Sequence, residues 1–343
     1  MNVKSVSMQN IANALGISKN AVSLALNGKP GVSAALREKV LAEASRLDYF
    51  RTSAVRTRNN NLLLMIDDGR DNDSEFFFPI ISAAIRHAKI RGYNILVSGV
   101  HSSAQEHPAI PRIYYDIKAE GVLFTGNIRK PFIQMFLDAG IPCALMVQHI
   151  YGLATDTVVS ANEDGGYVLT RLLLELGHRR IGYLADISLF DSFSRRLVGY
   201  RKALQEAGIA AGPYECAFSA TGEKPSEKTI GPQMDRIMGF ADQPTAWVCG
   251  NDHTAMALIN EFRRRGIRVP EDVSVVGFDA IPSAAIFNPN LTTYDAKIDQ
   301  IARHAVDLLI THINKAAEGW VPVIVSVMGE LVHGESVHPI EAT

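Results

Sequence analysis

From residue 61 onward the chain alternates short apolar runs with helix-length amphipathic segments, and this rhythm limits the fold more than any other feature. "LLLMIDD" is an apolar run of buried-strand type, followed by a helix around "FPIISAAIRHAKIRGY" and a second strand, "NILVSGV". The pattern continues with "GVLFTG", a helix near "PFIQMFLDAG" and "IPCALMV". It resumes in "GYVLTRLLLELGHRRIGYLA", "SRRLVGYRKALQEAGI", "PTAWVCGND" and "TAMALINEFRRRGIRVPEDVSVVGFD", and ends in "VPVIVSV". Strands separated by helices of about 10 to 15 residues form parallel sheets with helices on both faces. The body is long enough for two such doubly wound subdomains.

The first sixty residues follow a different pattern. Ser7 is placed to cap a helix with Ile11, Ala14 and Leu15 on one face, and Gly16 supplies the turn that ends it. Ser18 caps a second helix from Lys19 to Leu26, with Val22, Ala25 and Leu26 inward and Ala21 small enough for close helix approach. After "KPGV", Ser33 caps a third helix carrying Leu36, Val40, Ala44 and Leu47. Two short helices, a glycine turn and a third packing helix make a helix-turn-helix.

Charge sharpens that reading. Residues 1–60 hold nine Lys and Arg against three Asp and Glu, a net of +6, while the rest of the chain carries 25 against 33, a net of −8. A basic segment on an acidic body is the electrostatic footprint of a polyanion partner. The second helix presents Asn20, Ser23, Leu24 and Asn27 outward, with Lys19 in its first turn. Amides pair with adenine edges, lysine reaches guanine or phosphate, and leucine meets a thymine methyl. The Ser7 and Ser18 ends suit phosphate oxygens.

In the body, ligands of open α/β sheets bind beyond the carboxyl ends of the strands. Asn251 and Asp252 follow "AWVCG", Asp279 follows "VSVVGF", and Arg196 precedes "LVGYRKAL". An aspartate, an arginine fork and an amide suit a vicinal diol or a polar heterocycle, covered by an aromatic such as Phe77. Each also has a structural reading: Asp252 or Asp279 as a helix cap, Arg196 in a surface pair, Phe76 to Phe78 as core.

Other classes find little support. No Ser/His/Asp order, HExxH, Walker A or GxGxxG occurs, so an enzyme is not expected, nor any cofactor. "DDGRDNDSE" lacks the spacing of a calcium loop, and Cys143, Cys216 and Cys249 read as small buried hydrophobes. The N-terminus has no signal-peptide core, and no run of about 18 apolar residues could span a bilayer. The expectation is a cytoplasmic, nucleoid-associated protein with no membrane partner.

The ordered set "IANALGIS", "VSLALNG", "VSAALREKV" and "LDY" resembles the DNA-binding headpiece of the LacI/GalR family of bacterial transcription regulators. "ANEDGGYVLTRLLLELGHRRIGYL", "PTAWVCGNDHTAMAL", "GIRVPEDVSVVGFD" and "NPNLTTY" are similar to that family's effector-binding core, whose fold is like that of periplasmic sugar-binding proteins. The resemblance implies a headpiece at 1–50 and a hinge at 51–60. It implies one subdomain formed by 61–161 with 290–320 and another by 162–289 with 321–340.

It further implies a homodimeric repressor on a pseudopalindromic double-stranded DNA operator, controlled by a small-molecule effector, a sugar or sugar derivative. The alternative is a cytoplasmic small-molecule sensor without operator recognition. The implied effector contacts are Phe77 and Phe218 as stacking aromatics, Arg196 as the clamp, and Asn251 with Asp279 as hydroxyl partners. In the hinge, Arg56 fits the family pattern, whereas Arg58 stands where a leucine wedge is usual; arginine suits a narrow minor groove but does not unstack a base step. Ala161 replaces the aspartate usual before Asn162.

Overall fold

Three serines and a glycine frame the N-terminal unit. The structure, a computed structural model, describes residues 7–26, 31–47, 59–67, 74–106, 108–187, 191–217, 227–315 and 319–340. Helices α1 (Met8–Leu15), α2 (Lys19–Leu26) and α3 (Ala34–Arg46) occur where the sequence places them. Ser7 shares Asn10 Oδ1 with its own backbone, both Ser7 N and Ser7 Oγ donating at 2.7 Å. Gly16 ends α1 in the left-handed conformation (φ 65°), which glycine adopts without steric cost. Ser18 Oγ accepts from Ala21 N at 3.1 Å and Ser33 Oγ from Leu36 N at 3.2 Å, so both N-caps are made.

Ile11, Ala12, Val22, Ala25, Val40 and Ala44 form the core of this unit. Burial of each branched side chain contributes about 1.5–3 kcal/mol. One expected inward residue is corrected: Ala14 is exposed and Ala12 takes the inward place, because the face that meets α2 and α3 is turned by half a helical turn.

The second unit spans residues 60–343. Its elements are β1 (Asn61–Asp67), α4 (Ser74–Ile90), β2 (Asn94–Val100), α5 (Ser102–Glu106), α6 (Arg112–Asp116), β3 (Gly121–Thr125), α7 (Lys130–Asp138), β4 (Cys143–Met146) and β5 (Asp156–Ser160). Then follow α8 (Asn162–Glu175), β6 (Ile181–Ala185), α9 (Asp191–Glu206), β7 (Glu215–Ala217), α10 (Glu227–Met238), β8 (Ala246–Cys249), α11 (Asp252–Arg264), β9 (Ser274–Val276) and α12 (Pro282–Ile286). β10 (Thr293–Asp295), α13 (Ile298–Lys315), β11 (Ile324–Val327) and β12 (Glu330–Val332) complete it.

Among the described residues two parallel sheets form, one in the order β11-β5-β4-β3-β1-β2 and one in the order β7-β6-β8-β9. β10 and β12 pair antiparallel as a separate ribbon. Central strands such as β3, β4 and β6 are buried along their whole length, as parallel strands covered on both faces must be. α4 and α13 cover one face of the first sheet through Ile80, Ala84, Ile301, Ala305 and Leu309; Phe132, Ile133 and Phe136 of α7 cover the other.

The chain passes between the two lobes three times: from β5 to α8, from β10 to α13, and from β11 to β12. Two passages differ from the sequence expectation. Leu291 and Tyr294 pack into the second lobe's core, so the second passage follows Asp295 rather than residue 289. Ile324–Val327 pairs with β5 in the first sheet, so the third follows Val327 rather than residue 320. The cause is pairing: β11 fills the open edge beside β5, a long-range choice that a local apolar run does not reveal.

The lobes are also stitched internally. His178, after the left-handed Gly177 (φ 94°), is buried with Nδ1 2.9 Å from Thr245 Oγ1 and Nε2 3.1 Å from Ser274 Oγ. Burial pulls its basicity down, with His338 as the opposing backbone partner. Cys143 and Cys249 are buried, and burial pushes both thiols up.

Candidate functional site

In the second sheet, β6 and β8 are neighbours while their connections run to opposite sides of the sheet, which opens a crevice at their carboxyl ends. Three of the five expected effector residues meet there. Arg196, in the first half of α9, points into the lobe and is 5% exposed. Its Nε donates to Asn162 Oδ1 at 2.8 Å, its Nη1 donates to Gly250 O, and its Nη2 donates to Asp279 Oδ1 at 3.2 Å. The guanidinium carbon lies 3.5 Å from the Phe278 ring centroid and 5.4 Å from that of Phe193. Beyond those bonds each Nη nitrogen carries a second N–H.

Asn251 sits just past β8 as the N-cap of α11, its Oδ1 accepting from Thr254 N at 2.9 Å and Thr254 Oγ1 at 2.7 Å. The capping role the sequence offered to Asp252 therefore belongs to Asn251. Asp279 adopts φ 112° and Ala280 φ 55°, conformations that L-residues hold only where the surroundings impose them. The bond from Asp279 N to Tyr294 O, 2.9 Å, and the Arg196 pair supply that constraint.

Asp252 is the residue whose role the sequence left undecided. It is fully buried, accepting from Thr293 Oγ1 at 2.5 Å and from Ile281 N at 2.9 Å. Burial and the nearby Asp279 carboxylate push its carboxyl up to about 8. Burial pulls the Arg196 guanidinium down, opposed first by Asp279. With Asp252 holding its proton at neutral pH, the pocket contains one guanidinium facing one carboxylate, which avoids an uncompensated buried charge. Asn162 and Phe278 complete the setting; the motif "NEDGG" marked the first, and only packing marks the second.

The remaining expected residues are placed differently. Phe77 is 6% exposed in the first lobe's core and meets Phe76 edge-on with ring centroids 5.2 Å apart, so core packing takes the ring offered to a ligand. Phe218 lies outside the described residues, as do Asn27, Arg56 and Arg58. In the helix-turn-helix, Ser7, Ser18, Lys19 and Asn20 are exposed, whereas Ser23 and Leu24 are half-buried. Among the described residues no helix is long and apolar enough to cross a membrane, and no His, Cys, Asp or Glu group is arranged to hold a metal ion.

Residues 7–52 match the family described as bacterial regulatory proteins, lacI family, and residues 170–337 match the periplasmic binding protein-like domain. The chain belongs to the LacI family. A LacI-family relative from Photobacterium profundum, the HTH-type transcriptional repressor PurR, is 27% identical over 316 residues, covering 89% of this chain and 91% of that protein.

Solved LacI-type structures agree. A transcription regulator from Bifidobacterium animalis subsp. lactis DSM 10140 is 29% identical with a TM-score of 0.64, covering 81% of this chain and 99% of that one. The transcriptional regulator CelR in complex with cellobiose is 25% identical with a TM-score of 0.70, covering 96% of this chain and 99% of that one.

Proposed function

We propose that the chain is a homodimeric transcriptional repressor that reads a pseudopalindromic operator with α2 and whose DNA affinity is set by a small polar effector, a sugar or sugar derivative, bound at Arg196 and Asp279. The observation that carries the effector reading is the buried Arg196 fork, held by Asn162, Gly250 and Asp279 at the carboxyl ends of the second sheet's strands. A guanidinium with further N–H donors beside a carboxylate suits adjacent hydroxyls, and the flat Phe278 and Phe193 rings behind it suit an apolar ring face. The relative solved with cellobiose supports a sugar. On the DNA side, Lys19 and Asn20 are the outermost side chains of α2, with Ser23 and Leu24 beside them and Asn27 beyond. Arg56 and Arg58 are assigned to the minor groove.

The test has two arms. Fluorescence anisotropy on selected pseudopalindromic DNA and on random DNA should give affinity that falls steeply with salt, with Asn20→Ala changing sequence preference. Salt-independent binding, or no preference for any sequence, leaves a sensor without operator recognition. A thermal-shift panel of mono- and disaccharides, nucleobases and nucleosides should yield a sugar that stabilises the native state and loses its effect on Asp279→Ala. A nucleobase hit alone would replace the sugar.

A further inference from the structure

Arg195, next to Arg196 on α9, points away from the second lobe toward the first. Its Nε donates to Asp191 Oδ2, one helical turn earlier. Its Nη2 donates to Tyr151 Oη at 3.0 Å and lies 3.1 Å from His149 Nδ1. The guanidinium carbon is 5.6 Å from the Tyr151 ring centroid, and the His149 and Tyr151 rings meet edge-on at 4.7 Å. His149 Nδ1 also lies 3.6 Å from Asp191 Oδ2. An arginine donates to Nδ1 only where that nitrogen carries no proton, so this contact requires the tautomer protonated at Nε2.

His149 and Tyr151 belong firmly to the first lobe. Gln148, preceding them, exchanges bonds with Ile128, donating from Nε2 to Ile128 O at 3.1 Å, and Lys130 Nζ donates to Tyr151 O at 3.0 Å. Ile150 and Leu153 pack against the first lobe's core. Asp191 and Arg195 belong as firmly to the second, through Phe193, Leu197 and Tyr200 beneath them. The four side chains therefore join two separately anchored bodies through contacts that no backbone strand makes.

We infer that Arg195, aligned by Asp191, is the clasp that holds the two lobes closed over the Arg196 crevice. Arg195 and Arg196 divide the work of one helix turn: one grips the opposite lobe, the other stays in its own. The clasp is a fork reaching a carboxylate, a phenol and an imidazole, which a single ammonium cannot span. A second contact between the lobes stands elsewhere: Ser283 Oγ donates to Glu75 Oε2 at 2.7 Å. Releasing Arg195 leaves the lobes to turn on the three crossing segments, which strains that contact too. The control of effector residence by the clasp rests on the reading of Arg196 and Asp279 as the effector site; the clasp itself does not.

Hydrogen exchange with mass-spectrometric readout on the full chain, without any added ligand, tests it. In Arg195→Ala, amides in 147–153 and 191–195 should exchange about tenfold faster, and those in 74–80 and 279–285 should also speed up, while the second lobe's core at 169–185 stays unchanged. Arg195→Lys should recover part of the protection, and Tyr151→Phe, which keeps the ring and removes the accepting hydroxyl, should give about a two- to threefold rise confined to the same segments.

Acceleration limited to 191–195, with 147–153 and 74–80 unmoved, means local fraying and overturns the clasp. If Arg195→Ala fails to fold, Tyr151→Phe decides by the same segments. A clasp confirmed by exchange with no hit in the thermal-shift panel removes the effector reading alone; a panel hit with flat exchange removes the clasp alone.

Discussion

The guanidinium of Arg196 lies flat over Phe278, its carbon 3.5 Å from the ring centroid, while the next residue along the chain, Asp279, accepts from its Nη2 at 3.2 Å. One dipeptide thus supplies both a π-face and a counter-charge to a buried cation. Such a site is stable only as a set, because each member desolvates the others.

Removing the cation should expose that dependence. Arg196→Ala leaves Asp279 and Gly250 O without their partner, and unfolding free energy should fall by about 3–5 kcal/mol in urea titration. Arg196→Lys should lose stability as well, since one ammonium cannot reach Asn162, Gly250 and Asp279 together. A change below about 1 kcal/mol in Arg196→Ala contradicts a set-like site.

Asp252 should give the stability a distinctive pH dependence. Its folded value near 8 lies above the ordinary 3.8, so the folded state holds a proton that the unfolded state has released. Stability from this group is fully present below about pH 4 and declines as pH rises toward about 8. Asp252→Asn removes the titration, so melting temperature measured from pH 5 to 8.5 should fall more steeply in the parent chain than in the variant. Parallel curves would rule out the raised carboxyl.

The site also depends on two glycines that let α8 and α9 touch. A Cβ on Gly166 would lie 2.1 Å from Arg196 O, and one on Gly199 would lie 1.9 Å from Glu163 O. Gly199→Ala should therefore cost about 1–3 kcal/mol or more by wedging the helices apart. Gly166→Ala should in addition weaken binding of whatever sugar the thermal-shift panel finds, because it displaces the backbone that aims Arg196. Thermal melting and ligand titration of both variants check this.

In the N-terminal unit, Ser18 holds the first turn of α2. Ser18→Ala should remove about 1 kcal/mol from that helix and speed amide exchange in 19–26 of the full chain. Affinity for selected and random DNA should drop alike, because Ser18 caps a helix and meets phosphate rather than base edges. A change in sequence preference with Ser18→Ala would assign it to base reading instead.

Much of this was legible because helices and buried parallel strands are written locally. The Ser18 and Ser33 caps, the Gly16 turn and the β1, β3, β6 and β8 runs stand at their expected positions. α13 escaped notice although Ile301, Ala305 and Leu309 carry helical spacing, and β5 is too short to stand out from "TDTVVS". Phe77 shows the opposite difficulty. Three consecutive phenylalanines cannot declare which one the core will take, and packing against Ile80 and Ala84 decided it.

By itself the sequence determined a capped helix-turn-helix, a βα alternation that leads to parallel sheets, and the residue types that gather beyond the strand ends. Those follow from backbone hydrogen bonding and the periodic burial of apolar side chains, which act over a few residues. Only the tertiary structure decided that β11 joins β5, that Asp252 is buried beside Asp279, and that Arg195 and Arg196 serve different lobes. Each depends on which distant segments share a sheet or a crevice, and on the loss of water there, which sets the charge that a buried carboxyl can carry.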